Sequence, residues 1–239
     1  MVVLAKSIQL AYFDVTKVGS TSVKETLWEM EFGRPFRGKG IDRLLHHIRW
    51  QLARRKLAKP RNIHEVEGFR CTVFGLDEVP EMFTKIAIVR DPASRIRSAW
   101  RDKIHERQFR WRSEELDVEN EGLPLNPTFG EFIDHFEEYR SISRPARVHT
   151  TPYVWHLGGD LTYFDRTFTL ERFDDFESFL REQSCRKVNL KHANVAPSEK
   201  RDDSLTSNQV DKLFEVTRQD YDLLSSIYDI KKAKRRFQL

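Results

Sequence analysis

The chain lacks the features that mark disulfide-rich, secreted or membrane-spanning proteins. Its two cysteines, Cys71 and Cys185, are too few and too far apart in sequence for a disulfide framework or a zinc cage. No apolar run approaches the roughly 20 residues that span a bilayer. The N-terminus MVVLAKSIQL has no basic start followed by an apolar stretch and a small-residue cleavage site. We therefore expect a cytoplasmic protein with no membrane partner and no metal site.

Repeats and low-complexity linkers are also absent, and the rest of the chain reads as globular. A length of 239 residues, 39% of them apolar, is enough to bury a sizeable core. Strand patterns at residues 7–15, KIAIVRDP and YFDRTFTLERF alternate with helical patterns. The sequence therefore predicts an α/β fold: one P-loop-like domain over residues 1–239, with a small parallel sheet flanked by helices.

Acidic residues are nearly missing between positions 34 and 61. This stretch holds ten Lys and Arg residues and one acid, Asp42. Part of it, IDRLLHHIRWQLARRKLA, has the spacing of a basic amphipathic helix. Such a segment is either the solvated face of a helix or a surface that attracts a polyanion.

The segment KVGSTS follows the first strand pattern and opens a helical pattern. Gly19 allows a tight turn and a close approach of backbone amides to a ligand. Lys17 adds a positive charge, and Ser20, Thr21 and Ser22 add hydroxyl donors next to the free amides of a helix N-terminus. The segment predicts an oxyanion cradle; the alternative is that the hydroxyl residues merely cap the helix.

A second segment, GRPFRGKG at residues 33–40, has the spacing of a nucleotide triphosphatase phosphate loop. It lacks the Ser or Thr that would hold Mg²⁺, and no apolar strand precedes it. We interpret this spacing as a coincidence, which makes ATP-dependent phosphoryl transfer a less favoured function.

The stretch IAIVRDPASRIRSAW repeats the strand-to-helix arrangement. Arg90 ends the strand pattern, and Asp91 followed by Pro92 is typical of a helix start. Ser98 lies about two helical turns on, with Arg95 one turn before it on the same face. An arginine at the carboxyl edge of a sheet can bind a phosphate in two-point contact. Together the two turns predict a nucleotide with phosphates at two separated positions.

At these residues the chain resembles the PAPS-dependent sulfotransferases, specifically their carbohydrate-type branch found in bacteria and the Golgi. The counterparts here are TKVGSTS and VRDPASRIRSAWRDK. FTLERFDDFESFL, LKHANVAPSEK and DYDLLSSIY follow in the order typical of the family. The resemblance implies transfer of a sulfuryl group from PAPS, 3′-phosphoadenylyl sulfate, to a hydroxyl of a carbohydrate or similar acceptor, with release of PAP and no metal.

The resemblance also implies roles for individual residues. Arg90 and Ser98 would hold the 3′-phosphate, and a late loop, SEKR at residues 198–201, would close over the nucleotide. We expect Lys17 to be catalytic as well as binding, because it can neutralise charge on the leaving oxygen. The residues that would hold the 5′-phosphosulfate are Lys17, Gly19, Ser20, Thr21 and Ser22.

The catalytic base is less clearly indicated. Many relatives have a Gly-His pair before an FG-like turn, whereas the stretch here is VEGFRCTVFG, without histidine. The candidates are His64 or Glu67 in NIHEVEGF, followed by His46 and His47 in the basic helix.

The acceptor is expected to be a glycan hydroxyl, and the glycan could be anionic. The basic helix over residues 41–56 could guide it, and Trp50, Trp111 or Trp155 could stack on a sugar ring. One alternative is a non-catalytic polyanion-binding module that uses residues 34–61 and the tail KKAKRRF; it predicts steeply salt-dependent binding. A Mg²⁺-dependent nucleotide phosphotransferase is the other alternative. Nucleic acid is not an expected partner.

Overall fold

The computed structural model describes residues 1–36, 41–54, 63, 70–71, 79–105, 118–184, 188, 190 and 203–238. The chain divides into two compact units that exchange segments along the sequence. Unit 1 comprises Met1–Val15, Gly19–Val89 and Thr162–Ala196, and unit 2 comprises Thr16–Val18, Arg90–Leu161 and Pro197–Leu239. The expectation of a single domain over residues 1–239 stays a prediction.

Unit 1 contains a five-stranded sheet in the order β3-β1-β2-β4-β5. Strands β2, β4 and β5 are parallel, whereas β1 pairs antiparallel with both β2 and β3. The predicted α/β fold is confirmed, although the sheet is mixed and not wholly parallel. Its three parallel strands, β2, β4 and β5, overlap the three strand patterns found in the sequence. The strand bounds are β1 Val2–Ala5, β2 Leu10–Phe13, β3 Arg70–Cys71, β4 Thr84–Val89 and β5 Arg166–Thr169.

The centre of the sheet explains its apolar sequence. All four residues of β2 and the last four of β4 are buried, because a parallel strand inside an α/β sheet is covered on both faces. Since β2 and β4 are parallel neighbours, the segments that follow them leave at the same edge of the sheet. Ligands of open α/β sheets bind at that edge.

The helices of the described residues are short to medium in length. Helices α1, α2 and α8 belong to unit 1, and the others belong to unit 2. Their bounds are α1 Ser20–Phe32, α2 Ile41–Arg54, α3 Pro92–Trp100, α4 Phe129–Asp134, α5 Phe136–Ile142, α6 Arg144–His149, α7 Val154–Leu157, α8 Phe173–Ser184, α9 Ser207–Val216, α10 Arg218–Leu223 and α11 Ile230–Phe237.

The segment GRPFRGKG begins with a helix terminus. Gly33 has φ 65°, and its N–H donates to the carbonyl of Glu29 at 2.9 Å, so it ends α1 as a left-handed C-cap. The C-cap conformation explains why a glycine stands at this position, so no phosphate ligand is needed to explain it. Residues 37–40 lie outside the described part of the chain.

The core of unit 2 is aromatic and surrounds α3. Trp100 is fully buried, and its indole N–H donates to the carbonyl of Pro127 at 2.9 Å. Phe129 lies 5.2 Å from the Trp100 ring, and Tyr139 donates its hydroxyl to the Pro124 carbonyl at 2.6 Å. Because its large polar aromatics are hydrogen-bonded, this core can hold α3 in place without unpaired donors at these two rings.

Within the described ranges, no helix combines the length and the apolarity needed to cross a bilayer.

Candidate active site

The loop after β2 has an unusual backbone. Lys17 has φ 67° and Gly19 has φ 81°, and α1 begins at Ser20. A left-handed conformation costs a residue with a side chain about 1–2 kcal/mol, and such strain concentrates at functional sites. A Cβ added at Gly19 would also lie in tight contact with the Leu170 side chain, 3.1 Å from its Cδ1. The loop therefore places one residue with a side chain, Lys17, in a conformation that is normally left to glycine.

A buried ion pair joins the end of β2 to α1 in unit 1. The ammonium of Lys24 bonds to the carboxylate of Asp14, and the two side chains are 1% and 8% exposed. Removing one partner of such a pair leaves a buried charge without compensation. The pair thus joins the two elements that flank the loop after β2.

A cluster of charges surrounds Lys17 in unit 2. Helix α3 continues into a π-helical turn, Arg101–His105, a local irregularity that often accompanies functional sites. This turn carries Asp102 and Lys103, and the Asp102 carboxylate lies 2.9 Å from both the Lys17 and the Lys103 ammonium groups. One carboxylate is therefore shared by two cations.

The pKa values in this cluster follow from its burial and charge. Burial lowers the pKa of Lys17; Asp102 opposes that effect, while Lys103 and Arg90 reinforce it. Burial alone would raise the pKa of Asp102, but Lys17 and Lys103 hold it well below its usual range. Asp102 is therefore an anion at any physiological pH.

Arg90 follows β4 and lies beside Lys17. Its Nη1 lies 3.5 Å from the carbonyl oxygen of Lys17. The Tyr153 hydroxyl bonds to both backbone polar groups of Arg90. It accepts a hydrogen bond from the Arg90 N–H at 2.8 Å and donates one to the Arg90 carbonyl at 2.9 Å. The hydroxyl thus uses both its donor and its acceptor capacity to position this residue.

Tyr153 is in turn anchored in a buried polar network. Asp220 accepts the backbone N–H of Tyr153 at 2.7 Å and the Arg95 guanidinium at 2.9 Å. The Arg95 guanidinium lies over the Tyr153 ring, 4.4 Å from its centroid, and donates to the carbonyl of Thr151 at 2.8 Å. Arg95 is fully buried and therefore supports the fold rather than facing a ligand beside Ser98.

Helix α3 begins as predicted. The Asp91 carboxylate accepts the N–H of Ser94 at 2.9 Å, and Pro92 occupies the first turn. The other Asp91 oxygen accepts from the Tyr221 hydroxyl and from Arg236, each at 2.9 Å. Asp91 is thus a cap that joins three elements of unit 2. Two turns into α3, Ser98 is partly exposed.

His149, the last residue of α6, was not singled out by its sequence context. Its Nδ1 lies 2.9 Å from the carbonyl oxygen of Pro145. The Thr16 hydroxyl lies 3.5 Å from the carbonyl of His149, so the chain segment that leads into Lys17 adjoins this histidine. Burial, with a smaller contribution from Lys103 and Lys17, lowers the pKa of His149 to about 4 against the opposing effects of the Pro145 hydrogen bond and of Asp102.

The structure brings part of the predicted site together. Lys17, Arg90 and Ser98 belong to unit 2, and Lys17 and Arg90 are in contact. The loop glycine and the hydroxyl residues lie at the start of α1 in unit 1: Gly19, Ser20, Thr21 and Ser22.

Other predicted residues are not placed at the site. His64, Glu67 and residues 198–201 lie outside the described residues. His47 is exposed on α2, where its Nε2 lies 3.4 Å from the Gln51 amide nitrogen. In the part of the chain that the structure describes, no group of three or more acidic, histidine or cysteine side chains forms a metal cluster.

Sequence reasoning missed four residues of the cluster. Asp102 and Lys103 end the stretch VRDPASRIRSAWRDK, so the signal that found Arg90 extends to them. Tyr153 and His149 lie in the segment VHTTPYVW, which has no spacing that marks either side chain.

Comparison with known proteins assigns the class. The model of a family described as the sulfotransferase family matches residues 1–230, so the chain belongs to the sulfotransferase family. It is therefore a transferase that moves a sulfuryl group, and the family uses a nucleotide sulfate donor and a separate acceptor. Searches of curated proteins and of solved structures gave no significant match.

Proposed function

We propose that this protein transfers a sulfuryl group from PAPS to a hydroxyl of a carbohydrate or similar acceptor and releases PAP. The observation that carries the proposal is the contact of the Arg90 guanidinium with the backbone carbonyl of Lys17. It brings together two basic residues, one after each of the parallel neighbours β2 and β4. PAPS has anionic groups at both its 5′ and 3′ ends, so a donor site needs positive charge at two positions.

The 5′-phosphosulfate is assigned to the loop after β2. Sulfuryl transfer resembles phosphoryl transfer, in which catalysis consists mainly of positioning and of charge stabilisation at the leaving oxygen. Lys17 is proposed to bind that oxygen, with the amides and hydroxyls at the start of α1 around the other oxygens. The other residues proposed to bind the 5′-phosphosulfate are Gly19, Ser20, Thr21 and Ser22.

The 3′-phosphate is assigned to Arg90 and Ser98. The two hydrogen bonds from Tyr153 to the backbone of Arg90 support this role, because an arginine must be held in place to give two-point contact with a phosphate. Ser98 would contribute a hydroxyl donor from α3.

The acceptor is proposed to be a glycan hydroxyl, and Trp155 is a candidate for stacking on a sugar ring. Its side chain is 80% exposed on α7, so it contributes little to the core and can meet a ligand. We expect Trp155→Ala to raise the KM for the glycan several-fold and to leave PAP affinity unchanged. An unchanged KM in acceptor titrations would remove the indole from this role. The basic helix α2 stays a prediction as a guide for anionic glycans.

The donor is tested by thermal shift with PAP, ADP and ATP, each with and without Mg²⁺. We expect PAP to raise the Tm most, and to do so equally with and without Mg²⁺. A ligand at 100 times its Kd adds about 2.7 kcal/mol to the free energy of unfolding, which is readily measured. A larger shift with ATP that required Mg²⁺ would instead favour the phosphotransferase, and the absence of any nucleotide shift would favour the polyanion-binding module.

The assignment of Arg90 gives a sharper expectation. A hydrogen bond to a charged group contributes about 1.5–3 kcal/mol, so Arg90→Ala should weaken PAP binding about 10- to 100-fold by calorimetry. ADP, which lacks the 3′-phosphate, should lose much less affinity. Arg172→Ala is the matched control, because Arg172 is 76% exposed and pairs with Asp175 at the surface. Equal losses for PAP and ADP would refute the 3′-phosphate role.

A further inference from the structure

One ring nitrogen of His149 is hydrogen-bonded to the protein backbone, and the other can accept a proton. A carbonyl oxygen can only accept a hydrogen bond, so Nδ1 at 2.9 Å from the Pro145 oxygen carries the proton of the neutral ring. The lone pair of a neutral histidine is then on Nε2. Among the residues that the structure describes, no hydrogen-bond partner of Nε2 is seen. The Pro145 contact therefore selects the tautomer in which Nε2 can receive a proton.

His149 belongs to the Lys17 cluster rather than to a remote surface. The Thr16 hydroxyl contacts the carbonyl groups of Val148 and His149, each at 3.5 Å. The charged groups that act on the ring are Lys17, Lys103 and Asp102. Helix α6, which ends at His149, also packs against the π-helical turn that carries Asp102 and Lys103, so His149 lies at the Lys17 cluster.

The other titratable groups of this cluster are poorly suited to accept a proton. Asp102 is bonded to two ammonium groups, which keep its pKa well below the usual range. Lys17 and Lys103 both donate to Asp102 as ammonium groups, which have no lone pair to accept a proton. His149 is neutral at pH 7, because its pKa of about 4 lies far below that pH. It is thus the group in the cluster that combines a lone pair with neutrality.

We propose that Nε2 of His149 takes the proton from the acceptor hydroxyl during sulfuryl transfer. The inference rests on the proposed function. In this step the acceptor oxygen forms a bond to sulfur as its O–H proton passes to Nε2. The bond from sulfur to the bridging oxygen breaks, and that oxygen leaves with the electron pair as part of PAP. The proton on His149 is then released to water, so atoms and charge balance.

The cluster also links the basicity of His149 to the presence of the donor. A phosphosulfate bound at Lys17 would bring negative charge beside two ammonium groups that now depress the histidine pKa. Negative charge nearby stabilises the imidazolium ion. The pKa of His149 therefore rises when the nucleotide binds, towards the range in which a general base is most effective. The histidine becomes a better proton acceptor only when there is a donor to react with.

The first test needs no acceptor. Histidine-labelled wild-type protein is titrated by NMR with and without saturating PAP, and the His149 signal is identified by its absence from the His149→Asn or His149→Gln spectrum. We expect the His149 pKa to increase by at least about one unit with PAP, through the charge effect above. A pKa that PAP leaves unchanged would overturn the proposal.

The second test measures turnover with [³⁵S]PAPS and a panel of chondroitin, heparosan and N-acetyllactosamine. General bases contribute about 10²–10⁴-fold, so His149→Asn should lose that much kcat while its PAP affinity stays within about two-fold of wild type. In wild type, kcat should fall as the pH drops through the His149 pKa, because the protonated ring cannot accept a proton; this fall should be absent from the variant. Free imidazole should partly restore His149→Ala.

The control and the outcomes separate this inference from the function on which it rests. His135→Asn is the control, because His135 is 44% exposed between α4 and α5 and faces Glu138; its kcat should equal that of wild type. If wild type binds PAP and transfers sulfate but His149→Asn retains its kcat, the inference is overturned and the proposed function stands. If wild type does not bind PAP, the proposed function itself fails.

Discussion

Replacing Lys17 with Met should lower kcat at saturating PAPS by about 100- to 1,000-fold. Loss of one group that stabilises developing charge typically has an effect of this size. The side chain is only 14% exposed, so water cannot readily replace the ammonium group. Single-turnover transfer of ³⁵S measures the chemical step, and PAP affinity measured in the same variant separates it from binding.

Two controls make the Lys17 result specific. Lys232→Met removes an exposed lysine of α11 and should leave kcat unchanged. Lys17→Arg keeps the positive charge but changes its geometry, and should lose less activity than Lys17→Met. If Lys17→Met turned over at the wild-type rate, the charge on the leaving oxygen would have to be neutralised elsewhere.

Replacing Asp220 with Ala should destabilise unit 2 by about 3–5 kcal/mol. The change leaves the guanidinium of Arg95, which is fully buried, without its ion-pair partner, and breaking a buried pair has a cost of this order. It also removes the acceptor for the backbone N–H of Tyr153. In a chain of this size, each kcal/mol corresponds to roughly 2–4 °C in Tm, so calorimetry should show a fall of about 6–20 °C.

Asp222→Ala is the matched control for Asp220→Ala. Asp222 lies on the same helix, α10, but is exposed, and surface substitutions usually change stability by less than about 0.5 kcal/mol. If both variants melted at the same temperature, the Arg95–Asp220 pair would contribute nothing to the fold.

The parts of the fold with strong local signals were predictable. Strand β4 is apolar on both faces, and Asp91 with Pro92 marks the start of α3 within the same short stretch. Strand β1, by contrast, is the four-residue run Val2–Ala5, whose pattern alone distinguishes neither strand nor direction. Its antiparallel pairing with β2 and β3 depends on contacts between segments far apart in sequence.

The same distinction holds for the candidate site. Lys17 and Arg90 could be identified because each follows a strand pattern, and parallel strands place such residues at one edge. The residues that bond to them could not be identified from the sequence, since Asp102 lies 85 residues from Lys17 and Tyr153 lies 63 residues from Arg90. A fold is needed to join residues at such separations. The role of Arg95 also depended on the fold, because helical spacing alone does not show that Asp220 meets it.

The shared carboxylate of Asp102 acts as a built-in counter-ion. Because it already neutralises Lys17, an incoming phosphosulfate exchanges one anion for another instead of meeting a bare cation. Under the proposed function, the net contribution to affinity is then the difference between two ion pairs, which is smaller than the contribution of the new pair alone. Such an exchange favours release of PAP, since the ion pair between Asp102 and Lys17 can form again as PAP leaves.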